Sequence, residues 1–328
     1  MQMRNFQRLL TALVVLALLP AAPLLGSPEG ETRHLLERDG RQLEILLSPQ
    51  FTPRMQDNLL VWIEYISNAL HQVYGHWPAR HWQISVTPAA ASASDPIPWA
   101  QVHRGDVNRV EFFTSADASS DELKRAWTSY HELAHLLIPY RGWGDPWFSE
   151  GLASYYQNIL QARAGLISER EMWQKLYDGF QRGLAETRFD GESLGAVSDN
   201  MRKNGGFMRV YWSGACYFLT ADARLRLQSG GALNLDRALE KLNDCCSDQS
   251  LSVPQMVAKL DQLNRVLLFG ILYEEFAIAT TVPAFDAIFA TMGIDVVDGE
   301  VRLQETGPGA RLRREIVEGR GSEVEPGL

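Results

Sequence analysis

Apolar positions mark out the chain's elements before any motif does. From Phe51 to His76, Leu60, Ile63, Ile66, Leu70 and Val73 recur at helical spacing, which predicts one long helix. Around it, Gln42 to Leu47, His81 to Thr87 and Val107 to Thr114 carry the apolar patterning of strands. A second stripe, Leu123, Trp127, Tyr130, Ala134 and Leu137, follows Ser119 to Glu122, a Ser-x-x-Glu capping box that opens a helix. Asp145-Pro146 reads as an N-cap followed by proline at the first helical position, so another helix begins there. Ser168 to Glu171 is a further capping box, for a helix carrying Met172, Leu176 and Phe180.

Farther along, Leu251 to Leu263, Val266 to Ala279 and Pro283 to Ile294 read as helices, the last ending at Gly293. Phe189 to Gly206 is rich in Gly, Asp, Asn and Ser and reads as a loop at the rim of a cleft. Gln304 to Leu328 holds Gly, Glu and Arg with few apolar residues, the pattern of a mobile tail.

These patterns divide the chain into an α+β arrangement. Residues 30–118 form a β-rich lobe with one long helix, residues 119–300 a mainly helical lobe, and residues 304–328 the tail. Residues 1–26 read as an export signal, because Arg4 and Arg8 precede the apolar run Leu9 to Leu19, followed by Pro20, Ala21, Ala22 and Pro23. The run Leu9 to Leu25 is at the short limit for a bilayer span and is interrupted by prolines, so removal is favoured over retention as an anchor. That reading sends the protein to the periplasm or the outside; membrane contact is expected only if the segment is retained.

Composition narrows the classes. A chain of 328 residues with 45% hydrophobic content has material for a large core. A net charge of −9 speaks against a nucleic-acid partner, which needs a basic face. Oligomeric state is not set by anything in the sequence. The three cysteines are Cys216, Cys245 and Cys246. Cys216 either pairs with one of the adjacent two, in an oxidising compartment, or is a buried small residue.

The candidate chemistry lies in the stretch Trp127 to Tyr156. His131 and His135, four residues apart on a helix, share one face and can reach one ion, with Glu132 between them able to polarise water. Two imidazoles and a carboxylate suit Zn²⁺ and leave a position open for water. The best third ligand is Glu150, on the helix that Asp145-Pro146 opens, with fourteen residues between it and His135. An HExxH pentapeptide occurs by chance on ordinary helices, so its context has to agree; the apolar stripe and the following Trp147-Phe148-Ser149-Glu150-Gly151 supply that context. One turn after Glu150 stands Ser154, not a carboxylate, so no acceptor for the outer nitrogens of the two histidines is identified.

His131-Glu132-Leu133-Ala134-His135 followed by WFSEGLASYY resembles the gluzincin metallopeptidases. The stretch from Val210 to Ala215 and on through Leu225-Arg226 resembles the branch with glycyl aminopeptidases and other peptidase MA-like proteins. That branch shows a Tyr-x-x-Gly helix, matched by Tyr211 to Gly214. It also has an Asp before a Leu-Arg pair, matched by Asp222 and Leu225-Arg226, and a further helix, matched by Asn234 to Leu242. The resemblance runs from about Ser119 to Ile294. It implies a thermolysin-like zincin lobe packed on the β-rich lobe and one Zn²⁺ held by His131, His135 and Glu150. It further implies Glu132 as general base, a hydrogen bond from Tyr211 to the developing oxyanion, and peptide or protein as substrate.

It also implies an edge strand that pairs with the substrate backbone, for which Pro96 to Arg104 is the candidate. No Gly-x-Met-Glu-Asn segment stands there, so aminopeptidase and endopeptidase activity both stay open. His103 beside that strand reads as solvated, as do Glu274 and Glu275. A different class remains: an exported zinc-containing module that binds peptide or envelope material without cleaving it, a reading that gives Glu132 no task.

Overall fold

Five strands and one long helix build the first part of the chain, seen in a computed structural model that describes residues 30–319 other than Ala93 and Trp143. The export signal and the possible anchor at residues 9–25 lie outside the described residues. Strands β1 (Thr32–Arg38) and β2 (Arg41–Leu47) form a hairpin, helix α1 (Pro53–Tyr74) follows, and then come β3 (His81–Pro88), β4 (Trp99–His103) and β5 (Asn108–Thr114). The sheet order is β1-β2-β3-β5-β4. β2, β3 and β5 run parallel, and β1 and β4 are antiparallel edges. A parallel pair needs a crossover, and α1 supplies it between β2 and β3.

Thr52 caps α1 by accepting from Met55 N at 3.2 Å, Pro53 opens it, and Gly75 in the left-handed region closes it. Its inward stripe, Leu59, Trp62, Ile63, Ile66, Leu70 and Val73, is fully buried with Val110 and Phe112 of β5 in one core. Trp62 meets Phe112 edge to face at 5.1 Å and donates from Nε1 to Ser129 Oγ at 3.1 Å, so the sheet, α1 and the helix carrying the HExxH motif are tied together.

The helical body departs from expectation at several places. The single helix expected from Ser119 to Leu137 is two, α2 (Ser120–Arg125) and α3 (Trp127–Ala134), followed by one 3₁₀ turn at His135–Leu137. Ala126 takes an extended conformation between them, and the Tyr130 hydroxyl donates to the Lys124 carbonyl that the break exposes. The break changes the phase of the apolar stripe: Leu123, Tyr130, Ala134 and Leu137 are buried, but Trp127 is 52% exposed.

Helix α4 (Pro146–Arg163) begins at Asp145 and Pro146, yet the Asp145 side chain makes no cap; it accepts from Tyr273 Oη at 3.0 Å and Trp147 Nε1 at 3.3 Å. Helix α5 (Glu169–Ala185) starts with Ser168 accepting from Glu171 N. The expected loop from Phe189 to Gly206 is largely helix α6 (Leu194–Asn204), capped by Ser193 and burying Leu194, Val197 and Met201 on one face. Next come α7 (Phe207–Ser229), α8 (Leu235–Cys246), α9 (Val253–Asn264), α10 (Phe269–Ala277) and α11 (Asp286–Thr291). A hairpin of β6 (Ile294–Val297) and β7 (Glu300–Leu303) follows, turning on Asp298 and Gly299, both at positive φ.

The mobile tail expected from residue 304 is also corrected as far as residue 319. Helix α12 (Pro308–Glu318) packs on the body because Arg313, 1% exposed, donates to the carbonyls of Met292, Gly293 and Gln304 and to Glu169 Oε1. Arg163 on α4 adds a bond to the Ile316 carbonyl at 2.8 Å. Residues 320–328 lie outside the described residues. Cys216 pairs with neither neighbour: it is a free buried thiol near the Pro283 carbonyl, and Cys245 and Cys246 are joined to each other.

Helices α4 and α7 cross with their backbones in contact. A Cβ built on Gly151 would lie 2.3 Å from the Gly214 backbone, and one on Gly214 would lie 2.2 Å from the Trp147 carbonyl oxygen. Only two glycines permit that approach. Around the crossing, Tyr155 and Arg226 bond Asp222, Tyr156 bonds Asp236, and Arg163 forms an ion pair with Asp236 at 2.9 Å, all through buried side chains. Asp222 also accepts from Leu235 N at 3.0 Å, which fixes the start of α8. The Asp222 and Leu225-Arg226 pattern is thus a structural brace, with its carboxylate paired as a buried charge must be.

Candidate metal centre

Three elements bring the donors together. His131 lies in the last turn of α3, His135 starts the 3₁₀ turn one helical turn later, and Glu150 comes from the second turn of α4. One potential ligand atom from each of His131, His135 and Glu150 falls within 4.8 Å of the other two. His131 Nε2 is 3.2 Å and His135 Nε2 3.7 Å from the same oxygen, Glu150 Oε2. The two imidazoles stand edge to face with centroids 5.0 Å apart.

The outer nitrogens are held as well. His131 Nδ1 lies 2.9 Å from Gln157 Oε1, and His135 Nδ1 lies 3.0 Å from Ser149 Oγ. Gln157 Oε1 can only accept, so His131 donates to it from Nδ1, which leaves Nε2 facing Glu150. This is how a metal-binding histidine is normally oriented. Sequence reasoning looked for the acceptor at position 154 and missed both partners. Gln157 sits two turns after Glu150 on the same face, and Ser149 immediately precedes it, so helical spacing alone would have found them.

Burial and charge shape the cluster. Burial alone would lift Glu150, but His135, His131 and the Tyr211 hydroxyl outweigh it and hold the carboxylate at about 2. Burial pushes His135 down to about 3, so that imidazole is neutral. His131 is raised, because Glu150 overcomes its burial. Glu132, between the two histidines on α3, is pushed up to about 7 by burial and, more weakly, by Glu150, against His131. Two imidazoles and a carboxylate with converging lone pairs fit a single Zn²⁺.

Tyr211 on α7 stacks on His131, centroids 5.7 Å apart and planes 19° apart, and the Glu150 carboxylate is among the groups that act on its hydroxyl. Tyr211 therefore stands beside the cluster because Gly151 and Gly214, next to Glu150 and one turn after Tyr211, let α4 and α7 touch. β4 is the outer strand of the sheet, paired on one side with β5 only. Gln101 Nε2 and His103 Nε2 both lie 2.8 Å from Glu111 Oε2 on β5, so His103 is tied to its neighbouring strand and not simply solvated. Arg104, just past β4, donates to the His135 carbonyl and links the edge strand to the 3₁₀ turn. Glu274 and Glu275 are both exposed on α10.

The site and its two flanking helices define a zincin-type arrangement with the gluzincin donor set. Comparison with known proteins agrees. Residues 144–209 match the family of M61 glycyl aminopeptidases. Among solved structures, an aminopeptidase N family protein from Idiomarina loihiensis is 17% identical with a TM-score of 0.61, covering 81% of this chain and 50% of that one. An M1 zinc metallopeptidase from Deinococcus radiodurans is 16% identical with a TM-score of 0.51, covering 78% of this chain and 53% of that one. A mutant of the Deinococcus radiodurans protein bound to a Tyr-Ser-Ala substrate is 14% identical with a TM-score of 0.52, at 78% and 53% coverage. The chain thus shares the fold of these metallopeptidases, in agreement with the gluzincin resemblance, and spans about half their length. No curated protein matches it significantly by sequence. Among the described residues no helix is long and apolar enough to cross a membrane.

Proposed function

We propose that the chain is a zinc metallopeptidase that hydrolyses peptide bonds, with His131, His135 and Glu150 as the zinc ligands. The observation that carries the reading is the convergence of these three donors, with each histidine held from behind and Glu132 alongside. The functional residues all lie in residues 119–300, which we assign as the catalytic lobe. When bound, zinc supplies Lewis acidity to a carbonyl and to water.

Glu132 takes a proton from the attacking water and returns one to the leaving amine; its buried setting keeps its proton affinity near neutral, where both transfers are easy. Gln157 and Ser149 fix the two imidazoles. Tyr211 donates its hydroxyl hydrogen to the oxyanion, and its high proton affinity keeps it a donor throughout. The exposed edge of β4 offers unpaired backbone groups to an extended peptide.

β4 itself, Trp99–His103, has no carboxylate to bind a substrate's free amine, and the nearby Glu111 is already engaged by Gln101 and His103. Export rests on Arg4, Arg8 and the Leu9 to Leu19 run, and cell fractionation tests it.

The experiment is Glu132→Gln. The zinc-loaded variant should keep one equivalent of metal and lose hydrolysis of a peptide library that the parent cleaves. An equally active variant would remove Glu132 as the general base, and a parent that binds peptides and cleaves none would instead support the non-catalytic binding module.

A further inference from the structure

Beside the candidate metal centre lies a cavity of about 550 Å³ between α4, α5 and α7. Tyr211 and Gln157 belong to both, since Tyr211 stacks on His131 and Gln157 holds its Nδ1. Trp127, left exposed by the break at Ala126, forms part of the wall. Gly179 on α5 makes the wall possible on the far side: a Cβ there would lie 2.1 Å from the Trp212 ring.

The polar groups around this cavity are predominantly donors. Lys175 and Arg182 lie two turns apart on one face of α5, and Arg182 stacks over the Trp212 ring at 4.9 Å. Lys175 has only a long, exposed contact of 3.8 Å with Glu171. Asn158 and Trp212, 3% and 4% exposed, line the cavity, and Asn158 Nδ2 and Trp212 Nε1 have no hydrogen-bond partner in the protein. Gln157 spends its oxygen on His131, which leaves its amide hydrogens. The one carboxylate present, Asp178, already accepts from Gln174 at 2.9 Å. Two cations against one carboxylate leave the lining net positive, so the pocket favours an acceptor-rich, anionic occupant.

We propose that this cavity is a specificity subsite for a peptide carboxylate, with Lys175 and Arg182 supplying the charge and the amide hydrogens of Gln157 a neutral donor. The assignment rests on the peptidase reading above and refines its substrate class to acidic peptides. A carboxylate can come from an Asp or Glu side chain or from a free C-terminus, and the cavity accepts either by the same contacts.

The test uses zinc-loaded protein and peptides that differ by Glu, Gln or Lys at each position in turn, with free and amidated C-termini. Wild type should cleave the Glu peptides, or the free-acid peptides, roughly tenfold better in kcat/KM than the matched neutral ones. Lys175→Glu with Arg182→Glu should reverse that order in favour of Lys. Dependence on Glu at one position identifies the side chain as source; dependence on the free acid identifies the C-terminus.

Lys175→Gln with Arg182→Gln, checked for wild-type circular dichroism, guards against misfolding of the reversed variant and should abolish the preference. Hydrolysis without acidic preference, or a preference unmoved by either pair, overturns the subsite. Absence of all hydrolysis counts against the peptidase reading instead. The subsite is then judged by fluorescence anisotropy of labelled Glu and Gln peptides on Glu132→Gln protein: tighter Glu binding lost in the Lys175 and Arg182 variants supports it, and equal binding overturns it.

Discussion

Gly151 and Gly214 touch backbone to backbone where α4 crosses α7, and that contact sets Glu150 beside Tyr211. Neither helix could carry a side chain at the crossing without moving apart. An alanine methyl at Gly214 would meet both the Trp147 carbonyl and Gly151 Cα, which are main-chain atoms and cannot rotate away. Gly214→Ala is expected to destabilise the protein by about 1–3 kcal/mol, the usual cost of overpacking. Chemical denaturation measures the loss, and wild-type stability in that variant would show that the helices are free to separate.

Gln157 holds His131 from behind at 2.9 Å, as Ser149 holds His135 at 3.0 Å. Gln157→Leu keeps the volume and removes the acceptor. Zinc affinity, read by competition with a chelator, should fall about 10–100-fold, the range for such supporting partners, while the fold persists. Ser149→Ala should act in the same direction.

Tyr211→Phe deletes the hydroxyl and keeps the ring that stacks on His131. Steady-state kinetics should show kcat lower by about 10²–10³, the scale for losing one oxyanion donor, with KM and zinc content little changed. A loss confined to KM would assign Tyr211 to substrate binding instead.

Cys216 is fully buried, and burial pushes its thiol up to about 12. The thiolate is the reactive form, so at pH 8 the folded protein should not react with a thiol reagent at this position. Unfolding in denaturant without reductant should release one thiol per chain, because Cys245 and Cys246 are joined. Three thiols would show that the adjacent pair is reduced.

Much of the first lobe was legible from periodicity alone. The expected helix from Phe51 to His76 is α1 at Pro53–Tyr74, and the three expected strands match β2, β3 and β5 to within a residue at each end. β1 escaped notice because as an edge strand it is nowhere fully buried and its apolar signal is weak. The donors His131, His135 and Glu150 were readable because a helix fixes what four residues bring together and Asp145-Pro146 marks a helix start.

The misses have local causes. α6 buries only one narrow face, so its polar majority resembled a loop. The Asp298-Gly299 turn was a hairpin signal that went unused. α12 is held by the buried Arg313 and by Arg163 as well as by buried Ala310, Leu312 and Ile316, and the partners that fix it, such as Glu169 and Met292, cannot be inferred from its neighbours in sequence. The break at Ala126 is a tertiary effect, set where Tyr130 satisfies the Lys124 carbonyl, and it places Trp127 on the cavity wall.

Metal analysis of purified protein after equilibrium dialysis against buffered zinc tests the central claim most directly. One zinc per chain is predicted for wild type and for Glu132→Gln, with a large drop in affinity for Glu150→Gln. Wild-type zinc affinity in Glu150→Gln, or no zinc in the parent chain, would contradict it.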